Sequence, residues 1–171
     1  IDTVLYVSAI SRSDYSTDYY RYAQKRWVLL NHHSNVPVRS MVSDHAGGAW
    51  VFGDWGALLH IAQDSITPVP TPIVQHIMSG YCPNPDSLWL GTRNHGVYLY
   101  TAQDGFTQFL DSSWVGHDVL GLYAGPQKST LCILDDGRVY TIGTSGILSI
   151  SEFTLPDMLV RTVFNAGNSR V

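Results

Sequence analysis

A run of four short apolar segments, separated by turn residues, recurs about every 40 residues in this chain. No other feature constrains its fold as tightly, because a repeat fixes the architecture before any local motif is weighed. The first segments are Val38–Asp44 (VRSMVSD), Val74–Gly80 (VQHIMSG), Val119–Gly125 (VLGLYAG) and Val160–Ala166 (VRTVFNA). A second follows each of the first three: AWVFG from Ala49, LWLGT from Leu88 and LCILD from Leu131. The third segments are ALLHI from Ala57, VYLY from Val97 and RVYTI from Arg138. The fourth are SITPV from Ser65, GFTQFL from Gly105 and SEFTL from Ser151. In the last repeat GILSI from Gly146 competes for the fourth place.

Each segment has strand length, and Gly, Asn, Asp or Pro marks every junction. Four such strands form an antiparallel meander with two apolar faces, which stacking of copies around an axis buries. The expected fold is therefore all-β: a β-propeller of about four four-stranded antiparallel blades. Trp50 and Trp89 hold the same place in their second strands, where a large aromatic fills the gap between blades. A β-sandwich shares the composition, but not the ordered recurrence of LWLGT and its counterparts.

The first forty residues fit strands two to four of a blade: VLYVSA from Val4, YYRYA from Tyr19 and RWVLLN from Arg26. With Val160–Ala166 as their first strand, the termini would share one blade. The expected division is 160–166 plus 1–31, 38–70, 74–110 and 119–155, as one domain or a propeller fragment. The ring would close on itself or form part of a larger one, with a homodimer as one way to complete it.

The segment Ser34–Ile61 resembles the two-component regulator propeller repeat. Asn35, Pro37, Val38, Asp44, Gly47, Trp50, Gly53 and Gly56 stand at the repeat's marked positions. Leu88, Trp89, Leu90, Gly91, Thr92 and Gly96 repeat its second half. Over Val119–Ile150 the match fades, since Cys132 replaces Trp and Leu134-Asp135 replaces Gly-Thr. The resemblance implies a sensor domain of a signalling protein, periplasmic or extracellular, usually with seven or more blades.

Chemistry is sparse. Glu152 is the only glutamate, so paired glutamates are excluded. The seven histidines, His32, His33, His45, His60, His76, His95 and His117, form no His-x-His or HExxH motif, and no metal or other cofactor is expected. Asp104-Gly105 and Asp135-Asp136-Gly137 fit hairpin turns better than calcium loops. Cys132 is expected in the core, and Cys82, between Tyr81 and Pro83, in an exposed loop. Ten Lys and Arg against fourteen Asp and Glu give a net charge of -4, which argues against nucleic acid as a partner. No run approaches the ~20 apolar residues of a membrane helix, and Ile1–Tyr6 shows no leader pattern.

The expected function is non-catalytic binding of a protein or small ligand at the propeller rim. Tyr15, Trp55, Tyr81 and His95 are the candidate contacts, because loop aromatics are enriched at protein interfaces. The rivals are an adaptor, inhibitor or immunity-type protein and a carbohydrate-active hydrolase or lyase on the same scaffold.

Overall fold

A computed structural model describes residues 4–34 and 37–151. The chain folds into antiparallel strands with three one-turn 3-10 segments and no α-helix among the described residues. Strands β1 (Leu5–Ile10), β2 (Thr17–Ala23) and β3 (Arg26–Ser34) form a three-stranded sheet. Three four-stranded meanders follow. The second sheet holds β4 (Val38–Ser43), β5 (Ala49–Gly53), β6 (Leu58–Ala62) and β7 (Ser65–Pro68). The third holds β8 (Ile77–Asn84), β9 (Ser87–Thr92), β10 (Val97–Thr101) and β11 (Gly105–Phe109). The fourth holds β12 (Val119–Ala124), β13 (Thr130–Leu134), β14 (Val139–Gly143) and β15 (Gly146–Ser151).

The sheets stack face to face, with β4 against β8 and β8 against β12. Strand alternation explains why the middle strands are apolar on both sides. In β9, Leu88 and Leu90 face the second sheet and join Trp50, Phe52 and Leu58. Trp89, between them, faces the fourth sheet and joins Trp114, Val119, Leu122 and Tyr140. A smaller cluster of Tyr19, Val51 and Ile61, with Tyr6 packed on it, joins the first two sheets. The opposite face of the first sheet, with Leu5, Trp27 and Leu29, is exposed among the described residues.

Two details differ from the sequence reading, and one open choice is decided. The first strand of the third sheet begins at Ile77, not Val74, because residues 69–76 run along the turn at Asp54–Gly56. Gly56 N–H donates to the Gln75 carbonyl at 2.7 Å, and Thr71 Oγ1 to the Gly56 carbonyl at 2.8 Å. Cys82 is buried, since β8 continues to Asn84 and carries its thiol into the core. Gly146–Ser151 takes the fourth place in the last sheet, the alternative the sequence left open, and residues 152–155 lie outside the described residues. The shared-blade closure through Val160–Ala166 lies outside the described residues.

The hairpin Ser43–Ala49 shows how one residue fixes a turn. The buried Asp44 carboxylate accepts from Ala46 N–H at 2.8 Å, Gly48 N–H at 2.7 Å and His60 Nε2 at 2.9 Å. Burial alone would raise its pKa; the bonds from His60, Ala46 and Gly48 outweigh it and hold the carboxyl below its ordinary value. Asp44→Ala leaves three donors without their acceptor, and the expected loss is about 2–4 kcal/mol in a urea melt. Because the folded pKa is lowered, the carboxylate's contribution is full above the ordinary Asp value near ~3.9 and fades as pH falls through the folded value. The stability gap between wild type and Asp44→Asn should therefore narrow in acid; a constant gap would contradict these bonds.

Candidate functional site

In an antiparallel meander, loops alternate between two ends. The turns joining second to third strands, and the connections between sheets, lie at one end, here called upper. The turns joining first to second and third to fourth strands lie at the lower end. The first sheet keeps this orientation. At the lower end Tyr6 Oη donates to the Gly47 carbonyl at 2.8 Å, and Arg21 pairs with Asp64 at 2.8 Å.

Three of the four candidate contacts share the upper end. Tyr15 lies in the β1–β2 loop, Trp55 in the β5–β6 turn and His95 in the β9–β10 turn. Tyr15 is 79% exposed and Trp55 74%. Both have left-handed backbones, with φ of 58°. Bulky residues seldom adopt that conformation, which costs about 1–3 kcal/mol and clusters at functional positions. The Tyr15 loop is braced by Asp14, whose carboxylate accepts from Ser16 N–H and Ser16 Oγ at 3.1 and 2.8 Å. Hydrogen bonds from Ser11 and Ser16 pull the Asp14 pKa down to about 2. Tyr81 stands apart: it is a half-buried residue of β8 facing a cleft at the lower end.

A repeated backbone bond organises the upper end. Asp54 N–H donates to the Pro37 carbonyl, Arg93 N–H to His76 and Asp135 N–H to Asp118, at 3.1, 3.0 and 3.0 Å. It ties each second-to-third turn to the connection entering its own first strand. Charged side chains gather around these bonds. Asp54 pairs with Arg39 and lies 2.8 Å from His76 Nδ1, though out of line for a hydrogen bond. Trp55 packs on His76 with ring centroids 4.9 Å apart. Arg93 reaches Asp118 at 3.4 Å. His117 Nδ1 lies 2.8 Å from Asp135 and 3.5 Å from Asp136, while Arg138 Nε holds Asp136 at 2.6 Å.

The histidine–aspartate pairings were not singled out in the sequence, where His117 and Asp135 belong to different segments. The group His117, Asp135 and Asp136 has one ligand atom from each within 4.8 Å of the others, the arrangement a divalent cation would use. With Arg138 already on Asp136, it stands as a salt-bridge network.

Stacked four-stranded meanders with their first strands side by side define a β-propeller protein. Among solved structures, the chain is similar to a catalytically inactive variant of virginiamycin B lyase from Staphylococcus aureus, determined with quinupristin. The TM-score is 0.59 and the identity 19%, over 87% of this chain and 55% of that one. The likeness is one of fold, and the chain spans about half the length of that protein. No family model matches the sequence, and no curated protein does. Among the described residues, no helix is long and apolar enough to cross a membrane.

Proposed function

We propose that this chain is a non-catalytic binding segment of a β-propeller, of the sensor or interaction type, that holds a protein partner through its upper end. The observation that carries this reading is the pair Tyr15 and Trp55, large aromatics kept exposed on left-handed backbone in corresponding loops of neighbouring sheets. An aromatic in that state adds little to the fold and offers rigid contact area to a partner. The charged groups around them support binding over catalysis. Asp54, Asp118, Asp135 and Asp136 each lie beside a basic side chain.

The resemblance of Ser34–Ile61 and Asp86–Tyr100 to the two-component regulator propeller repeat favours a sensor, with a periplasmic or extracellular place. The open face of the first sheet suits a further blade, from a longer chain or from a second copy completing a ring.

A photo-crosslinking amino acid placed in turn at Trp55, His95 and Asp104 tests the reading in cells. A discrete adduct from the two upper positions, and none from Asp104 at the lower end, is expected. In the purified pair, Trp55→Ala should weaken binding about 30-fold, the effect of an interface hot spot. Adducts from Asp104 alone would refute the assignment of the upper end.

A second reading, a lyase or hydrolase on the same scaffold, draws on the His117, Asp135 and Asp136 group and on the activity named for the structural neighbour. Incubation with quinupristin, followed by chromatography and mass spectrometry, separates the two. Conversion abolished by Asp135→Asn would replace the binding reading.

A further inference from the structure

The lower end carries a cavity that the upper-end contacts leave unused. It is a cleft of about 560 Å³ between the third and fourth sheets. One wall is a row of three cross-strand neighbours, Tyr81, Trp89 and Leu99. The other is the β12–β13 hairpin, with Gly125, Lys128 and Ser129. The volume falls in the range of small-molecule sites, about 300–1,000 Å³.

This opening is not a general property of the repeat. The corresponding gap between the second and third sheets holds only about 200 Å³. There Trp50 stacks on His60, its cross-strand neighbour, with centroids 4.2 Å apart at 22°, and meets Tyr100 edge-on at 5.6 Å. In the third sheet, the residue paired with Trp89 is Leu99, and Trp89 packs instead on Phe109 of the fourth strand, with centroids 5.4 Å apart, so no ring stands at the Leu99 position. The same wedge is thus filled in one place and open in the other.

The chemistry of the open cleft is specific. Tyr81, half-buried, gives it aromatic surface, with the buried Trp89 behind it, and the Tyr81 hydroxyl has no hydrogen-bond partner among the described residues. Among the described residues, Lys128 is the only charged one lining it, and no carboxylate pairs with it. The hairpin that bears Lys128 is held by Gly125 N–H to the Ser129 carbonyl, Ser129 N–H to the Pro126 carbonyl and Ser129 Oγ to the same carbonyl. Gln127 and Lys128 are both left-handed, with φ of 52° and 64°. Two consecutive strained residues place a lone cation at the mouth of an aromatic slot.

We propose that this cleft binds a small aromatic carboxylate, its ring against Tyr81 and its carboxylate at Lys128. Calorimetric titration with benzoate, phenylacetate, 4-hydroxyphenylacetate and indole-3-acetate tests this, each beside its neutral amide. At least one acid should bind saturably, with its amide about tenfold weaker or worse, as the loss of a hydrogen bond to a charged group implies. Lys128→Gln, in an exposed hairpin, should keep the melting temperature and lose about tenfold in affinity for that acid. Leu99→Phe should fill the slot and abolish binding. If none of the four acids binds, or if Lys128→Gln binds as well as wild type, the proposal fails. Trp55→Ala should leave this titration unchanged, so failure here and failure of the upper-end reading are told apart.

Discussion

Trp89→Ala and Trp50→Ala should each lower folding stability by about 3–5 kcal/mol, the range for removing a buried aromatic. Both indoles are buried at corresponding positions, each opposite a residue of its own first strand and against the neighbouring sheet. Trp50 packs among Leu88, Leu90 and Tyr98, and Trp89 among Trp114, Val119 and Leu122. Removing either opens a cavity between two rigid sheets, which have little freedom to collapse into it. Trp55→Ala should cost under about 1 kcal/mol, because an exposed side chain with one aromatic neighbour loses little. Urea melts of the three variants give the ranking. Trp55→Ala as the most destabilised would contradict the placing of these strands.

The same contrast shows what the sequence revealed. The period, the Trp at the second strand and the turn residues are side-chain features, so the meanders and their order were legible. The start of β8 was not. Val74 and Ile77 are both apolar, and what separates them is the anchoring of the connection on the Asp54–Gly56 turn, by Gly56 N–H to the Gln75 carbonyl and Thr71 Oγ1 to the Gly56 carbonyl. The first is a main-chain bond that leaves no mark on residue type, and a lone Thr does not announce the second. Cys82 was misjudged for a related reason: Pro83 suggested a loop, but β8 bulges between Tyr81 and Asn84 and continues through it.

The site was legible in part. Tyr15, Trp55 and His95 share one end because each occupies a second-to-third turn. Tyr81 belongs to the other end because it stands late in a first strand, a matter of strand direction that composition does not carry. The histidine–aspartate pairs had a faint signal. His76 and His117 each fall just before a first strand, and Asp54 and Asp135 each close a second one. The pairing still differs: His117 meets the turn of its own sheet, whereas His76 meets that of the preceding sheet. Only the stacking of the sheets decides between these.

Gly56→Ala should be as damaging as loss of a core tryptophan, at about 3–5 kcal/mol, although it adds a single methyl group. Gly56 is buried at φ +70°, a conformation that costs a residue with a side chain about 1–2 kcal/mol. Its added Cβ would also stand 1.7 Å from the Ile73 carbonyl oxygen. That oxygen belongs to the backbone of the connection, so relief requires residues 71–75 to move away. Moving them breaks the Gly56–Gln75 bond and leaves buried polar groups unpaired, a further ~1–3 kcal/mol. It also shifts Ile73, which is buried beside Phe52 and Leu58 in the interface between the second and third sheets. Gly47→Ala separates the two causes. Gly47 has φ +93° with nothing within 4 Å of its Cβ position, so that variant feels the backbone strain alone. Gly56→Ala should therefore melt at distinctly lower urea than Gly47→Ala. Equal midpoints would mean that the connection is not pinned on the Asp54–Gly56 turn, and that the start of β8 at Ile77 has another cause.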